Sequence, residues 1–291
     1  MAANLTTRLR TWLLVAGLTA LLVAIGAAIG GGFLYLFVGL AVAMNVVGYW
    51  FSDRIALAAS RAKPLSAEDA PDLYRIIEEL AARAGLPKPR VYLIPSEQPN
   101  AFATGRNPTH AAVAVTAGLL GQLPREQVRA VLAHELGHVR NRDILVSSIA
   151  AVIAGAIAAI ANVLQFSLFF GGDDEDGGPL GWLGTIAAIV VAPIAATLLQ
   201  LGVSRQREYL ADATAARILG EGRPLADALE ALEVQTQAQP MHVNPATASL
   251  YIANPLPRAG LAVLFSTHPP MAERVRRLRT YDDRAKLASA A

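Results

Sequence analysis

The sequence predicts an α+β membrane protein, mostly helical with one small β-sheet, and with four transmembrane helices paired in two hairpins. Three observations predict it. Of the 291 residues 54% are hydrophobic and only 16% charged, too apolar a mixture for an ordinary soluble domain. Uncharged runs long enough to cross a bilayer alternate with charged stretches. Those charged stretches carry helical periodicity, broken by short β-prone runs.

Residues 1–52 form the first hairpin. No charge occurs from Thr11 to Ser52, enough for two spans of roughly 20 residues each, and Gly30, Gly31 and Gly32 offer the turn. The run far exceeds the apolar core of a cleaved signal peptide, about 7 to 15 residues. Residues 53–143 are the first part of the soluble domain. Leu73, Ile76, Ile77 and Leu80 mark a helix that stops at Gly85, ahead of Pro87 and Pro89. RVYLI (Arg90 to Ile94) and AAVAVT (Ala111 to Thr116) read as strands, with NAFAT (Asn100 to Thr104) between them.

Residues 144–204 form the second hairpin. Two uncharged runs, Ile144 to Gly172 and Gly177 to Ser204, flank an acidic turn from Asp173 to Asp176. The first is alanine-rich and carries Asn162 and Gln165, so its drive into lipid is the weaker. Residues 205–291 complete the soluble domain. Pro224 to Gln237 is helical with Leu225, Leu229 and Leu232 on one side, and the proline- and asparagine-marked stretch to Pro257 is expected to loop irregularly over the cleft. A last helix resumes at Ala272, where Arg274, Arg276 and Arg277 are expected to face solvent, with acidic lipid heads as the alternative.

Charge sets the orientation. Arg8 and Arg10, Arg54, Arg61 and Lys63, Arg140 and Arg142, and Arg205 and Arg207 all flank the hairpins on one side, which the positive-inside rule makes cytoplasmic. The N-terminus and the soluble domain lie there, and the acidic turn lies outside. The net charge of +2 sits at membrane flanks, so it speaks for the lipid bilayer as partner and not for nucleic acid. The absence of cysteine agrees with a cytoplasmic domain.

Within this frame VLAHELGHVRNRD (Val131 to Asp143) is the stretch that carries chemistry. Val128, Val131, Leu132, Leu136 and Val139 recur at helical spacing after Pro124. On such a helix His134 and His138, at i and i+4, share a face and can point at one ion. H-E-x-x-H is the zinc-protease pattern, with Glu135 facing the metal-bound water; two core histidines on an ordinary helix give the same letters. A catalytic zinc needs a third protein ligand. Besides His110, His242 and His268, the segment SRQREYLADATA (Ser204 to Ala215) offers Glu208 and Asp212 one helical turn apart. A two-helix hairpin returns the chain to the side it left, so Glu208 can reach the histidines and Asp212 can accept a hydrogen bond from a ligand imidazole. The same pair would also suit a solvated acidic face beside Arg205 and Arg207.

HELGHVRNRD, EYLAD, PNAFATG (Pro99 to Gly105) and STHPPMAERVRRL (Ser266 to Leu278) together resemble, in order and over nearly the whole chain, the motifs of the HtpX-type membrane zinc metalloproteases of peptidase family M48, relatives of the Ste24 CAAX prenyl proteases. The resemblance implies a zincin-like metalloprotease domain with one Zn²⁺ per subunit. It implies His134, His138 and Glu208 as ligands and Glu135 as catalytic base. Asp212 matches the family's aspartate, Asn100 would sit beside the substrate, and His268 would approach the reacting carbonyl. Asn141 and Asp143 match the pattern and read as ending the helix at the membrane surface; His110 and His242 match nothing. The resemblance further implies a quality-control endopeptidase of the bacterial inner membrane, acting on unfolded or damaged membrane proteins. An extended substrate is expected to lie antiparallel to the NAFAT or AAVAVT edge, where backbone pairing demands no particular sequence. Two other readings compete. Processing of prenylated peptides would need more than four spans to build the Ste24-type chamber, and a zinc-binding scaffold without turnover would have no use for Glu135.

Overall fold

Helix α1 (Phe33–Ala59) leads the chain out of its first apolar run. Tyr35, Leu36, Val42, Val46 and Trp50 stand exposed along it, an arrangement that water does not favour and lipid does. The computed structural model describes residues 32–150, 205–239, 245–255 and 269–290, with single positions between 16 and 27 and at 241 and 243. Among the described residues α1 is the one helix long and apolar enough to cross a membrane. The start of the first expected hairpin and residues 151–204 of the second lie outside the described residues. Residues 144–150 are helical, and Ile149 packs against α1 at Gly48.

A four-stranded sheet follows, built from β1 (Lys63–Pro64), β2 (Arg90–Ile94), β3 (Ala101–Thr104) and β4 (Ala112–Thr116) in the order β1-β2-β4-β3. β2 and β4 run parallel, and β3 returns antiparallel on the far side of β4, with Ala103 opposite Val113. Of the two edges expected to take substrate only NAFAT is one. AAVAVT is an interior strand, paired on both sides, because the chain crosses over between β2 and β4 to lay β3 outside.

Alternation on β4 divides the core. Val113 and Val115 face one layer, where they meet Leu73, Ile77 and Leu80 of α2 (Pro71–Ala84) and Val131, Leu132 and Leu136 of α4 (Arg125–Asn141). The short helix α3 (Ala117–Gln122) links β4 to α4. Ala112 and Ala114 face the other layer with Phe102, Leu57 of α1 and Tyr251, whose ring meets Phe102 edge to face at 5.0 Å. Each fully buried leucine or isoleucine here contributes about 1.5–3 kcal/mol. As the sequence foretells, α2 ends at Gly85, which takes the left-handed conformation (φ 67°) that ends helices.

Three further helices close the domain over the first layer: α5 (Arg205–Leu219), α6 (Arg223–Ala238) and, after the single turn α7 (Pro245–Ala248), α8 (Met271–Ala290). α5 lies hard against α4. A Cβ on Gly137 would stand 2.9 Å from the carbonyl oxygen of Ala211, so only glycine permits this approach. Gly137→Ala is expected to push the helices apart and to cost about 1–3 kcal/mol, read as a lowered melting temperature of the detergent-solubilised chain.

Candidate metal centre

That close contact brings two helices' polar side chains together in an otherwise apolar interior. α4 supplies His134, Glu135 and His138; α5 supplies Glu208 and Asp212. One ligand atom from each of His134, His138 and Glu208 can be chosen so that all lie within 4.8 Å of one another. The Nε2 atoms of the two histidines are 3.1 Å apart, and the Glu208 carboxylate stands 3.5 Å from His138 Nε2 and 3.7 Å from His134 Nε2. A tetrahedral ion with bonds near 2.0–2.2 Å separates its ligand atoms by roughly 3.3–3.6 Å, so this set fits a small divalent cation and leaves a fourth position for another group.

The other ring nitrogens are already engaged. Asp212 Oδ1 lies 2.9 Å from His134 Nδ1, and Asp143 Oδ1 lies 3.1 Å from His138 Nδ1. Both imidazoles can then donate from Nδ1 and turn Nε2 inward, the arrangement in which carboxylates orient metal-binding histidines. Asp143 reaches back because α4 ends abruptly. Arg142 takes a left-handed conformation (φ 61°), and the Asp143 N–H donates to the His138 carbonyl at 3.3 Å. Sequence spacing did not reveal this second support, since five residues do not share a helix face unless the chain turns.

Glu135 is buried, and its Oε1 has no hydrogen-bond partner among the described residues. Burial pushes its carboxyl up to about 7, aided by the Glu208 carboxylate and opposed by His138, the Ala103 backbone N–H and Arg274. Burial disfavours a charged His138, yet Asp143, Glu208 and Glu135 outweigh it and push the imidazole up to about 10. Burial, Arg274 and His138 lower His134 against the pull of Asp212. Burial would raise Asp212, but the Arg274 guanidinium beside it holds the carboxyl below its usual range. Glu135, Glu208 and Asp212 act on the Arg274 guanidinium and Asp143 holds His138, so even with that imidazole charged the acidic groups outnumber the cationic ones in this desolvated pocket, a balance that favours a cation.

Arg274 corrects the expectation of a solvent-facing side chain. It is fully buried, with Nε and Nη2 donating to the two oxygens of Asp212 at 2.9 and 2.7 Å. Its position was readable: Met271, Arg274, Val275 and Leu278 fall at i, i+3, i+4 and i+7, on the stripe that packs inward. Arg276 and Arg277, off that stripe, are exposed and pair with Glu273. Asn100 lies just before β3, fully buried; its Nδ2 donates to the Ala253 carbonyl at 2.8 Å, and its Oδ1 accepts from the Ala101 and Ala253 N–H groups at 3.1 and 3.3 Å. His110 is exposed beside Arg106, and His268 and His242 lie outside the described residues.

Residues 67–282 match the model of peptidase family M48. The chain is 55% identical over 280 residues to a protease HtpX homolog of Syntrophobacter fumaroxidans, covering 94% of this chain and 99% of that one. It is 51% identical over 274 residues to the homolog of Pelotomaculum thermopropionicum, covering 93% and 97%. The homolog of Pyrococcus furiosus is likewise 51% identical, over 272 residues covering 93% and 94%. In fold the chain is similar to the crystal structure of S. mikatae Ste24p, with a TM-score of 0.52 at 22% identity over 96% of this chain and 67% of that one.

Proposed function

The chain belongs to peptidase family M48 and is a metallopeptidase, and from that premise we propose a zinc-dependent endopeptidase that works at the inner membrane on unfolded or damaged membrane proteins. The observation that carries the reading is the meeting of His134, His138 and Glu208 across the α4–α5 contact. Two imidazoles and a carboxylate with an open fourth position make the donor set of catalytic zinc. When bound, zinc polarises a peptide carbonyl and lowers the pKa of a coordinated water toward about 7.

The chain's own groups do the rest. Glu135, next to the ligand His134 and buried with one oxygen that has no hydrogen-bond partner among the described residues, takes a proton from the attacking water and later returns it to the departing amine. Without the ion, burial pushes that carboxyl up to about 7, and beside a bound Zn²⁺ it would be drawn back toward the charged form that accepts a proton. His268, by its place in the THPP motif, is assigned the developing oxyanion. β3 is the edge strand of the sheet beside this helix; beyond Ala101, whose carbonyl accepts from the Ile252 N–H, an extended substrate adds there through backbone hydrogen bonds, which suits broad specificity. The exposed apolar flank of α1 and the basic flanks of both apolar regions support a multi-pass protein with its active site on the cytoplasmic side.

The test is metal removal. The purified full chain in detergent is expected to carry one zinc and to cleave casein. Dialysis against a chelator should abolish both, and added zinc should restore both. Cleavage that persists after the metal is gone would overturn the reading.

A further inference from the structure

We propose that Arg274 is a positioning residue of this centre, whose guanidinium fixes Asp212 and Glu208, and through Asp212 the imidazole of His134, against the β3 edge. The proposal rests on the zinc reading above and goes beyond it, since nothing in a three-ligand site with a glutamate base calls for an arginine.

The contacts are directional. Nε and Nη2 grip both oxygens of Asp212 in a planar fork, at 2.9 and 2.7 Å. The oxygen that takes Nη2 is the one 2.9 Å from His134 Nδ1. A lone carboxylate could swing about its terminal torsion; gripped at both oxygens it cannot, and the imidazole it orients is held in turn. Nη1 lies 3.4 Å from Glu208 Oε2, while the other oxygen, Oε1, is the one 3.5 Å from His138 Nε2. The guanidinium thus stands beside the Glu208 oxygen that lies 3.7 Å from His134 Nε2 and leaves the other turned toward His138.

Nη1 also donates to the Ile252 carbonyl at 3.3 Å. The N–H of the same residue donates to the Ala101 carbonyl on β3 at 3.0 Å. One side chain from α8 therefore ties the ligand pair on α4 and α5 to the strand where a substrate is expected to add. A point charge would neutralise Asp212 equally well; only the flat guanidinium can serve a forked carboxylate, a second carboxylate and a carbonyl from fixed directions.

The test compares Arg274→Lys, which keeps the charge and loses the fork, with Arg274→Met, which loses both, in the full chain in detergent. Zinc affinity is read by competition with a chromophoric chelator, and thermal unfolding and peptide kinetics are followed beside it. Arg274→Lys is expected to melt close to the unsubstituted protein and to bind zinc about 10- to 100-fold more weakly, with kcat falling at saturating zinc. Arg274→Met is expected to be weaker still, and Arg276→Met to bind zinc normally. Unchanged zinc affinity in a cooperatively melting Arg274→Lys would overturn the proposal alone. So would failure of both Arg274 variants to fold while Asp212→Asn folds and binds zinc normally, which would leave Arg274 a purely structural ion-pair partner. Failure of the unsubstituted chain to bind zinc would overturn the metal reading, and this proposal with it.

Discussion

Glu135→Gln is expected to lower peptide hydrolysis by about 10²- to 10⁴-fold while the chain keeps its full complement of zinc. The amide has nearly the shape of the carboxyl, so it fills the same buried space on α4 and leaves the His134 and His138 rings undisturbed. It cannot accept a proton, so the two transfers assigned to Glu135 both fail. The substitution also removes one of the acidic groups that act on Arg274, which weakens the pull on a cation without touching a ligand. Zinc content and casein cleavage, measured on the same preparation, check it. A variant that cleaves normally would leave Glu135 without a catalytic role, and a protein that cleaves nothing in either form, yet holds zinc, would be a scaffold.

Glu208→Ala should act in the opposite order, on metal before chemistry. It removes the one ligand contributed by α5 and leaves two imidazoles with no carboxylate across from them. Supporting residues around a metal typically matter by 10- to 100-fold, and a ligand itself should exceed that, so zinc affinity is expected to fall by about 10²-fold or more. Arg274 would lose the second carboxylate near its Nη1 and keep the fork to Asp212, so the fold should survive. Chelator competition and thermal unfolding separate the two effects. Zinc held at wild-type affinity by Glu208→Ala would remove Glu208 from the ligand set.

How far these features could be read in advance depends on the range of the interaction behind each. The helix around His134 and His138, its apolar side, the stop at Gly85 and the strands RVYLI and AAVAVT follow from helical periodicity, β-prone runs and turn residues, all local. Glu208 and Asp212 could be named because helical spacing sets them on one face and the intervening apolar insertion returns the chain to its starting side. Asp143 could not, since its approach to His138 depends on one left-handed residue, Arg142, which no periodicity announces. Which of two strands forms the edge was equally hidden, because crossover order is a property of the whole sheet. Arg274 is hidden for a different reason. A charged residue is presumed exposed, and its place on an apolar stripe gives way to that presumption until a buried partner such as Asp212 is seen.

The division of the centre between distant stretches of chain has a consequence for how the protein is made. His134 and His138 are synthesised first, then the second apolar region, then Glu208, and Arg274 only 140 residues after His134. A ribosome that has finished the first helix of the site has made His134, Glu135 and His138 without the carboxylate that completes the candidate set. The third ligand emerges only after residues 144–204, and the guanidinium that braces it later still. On the proposed zinc reading, proteolytic competence therefore arrives late in translation, and a product truncated before Glu208 is expected to be inert.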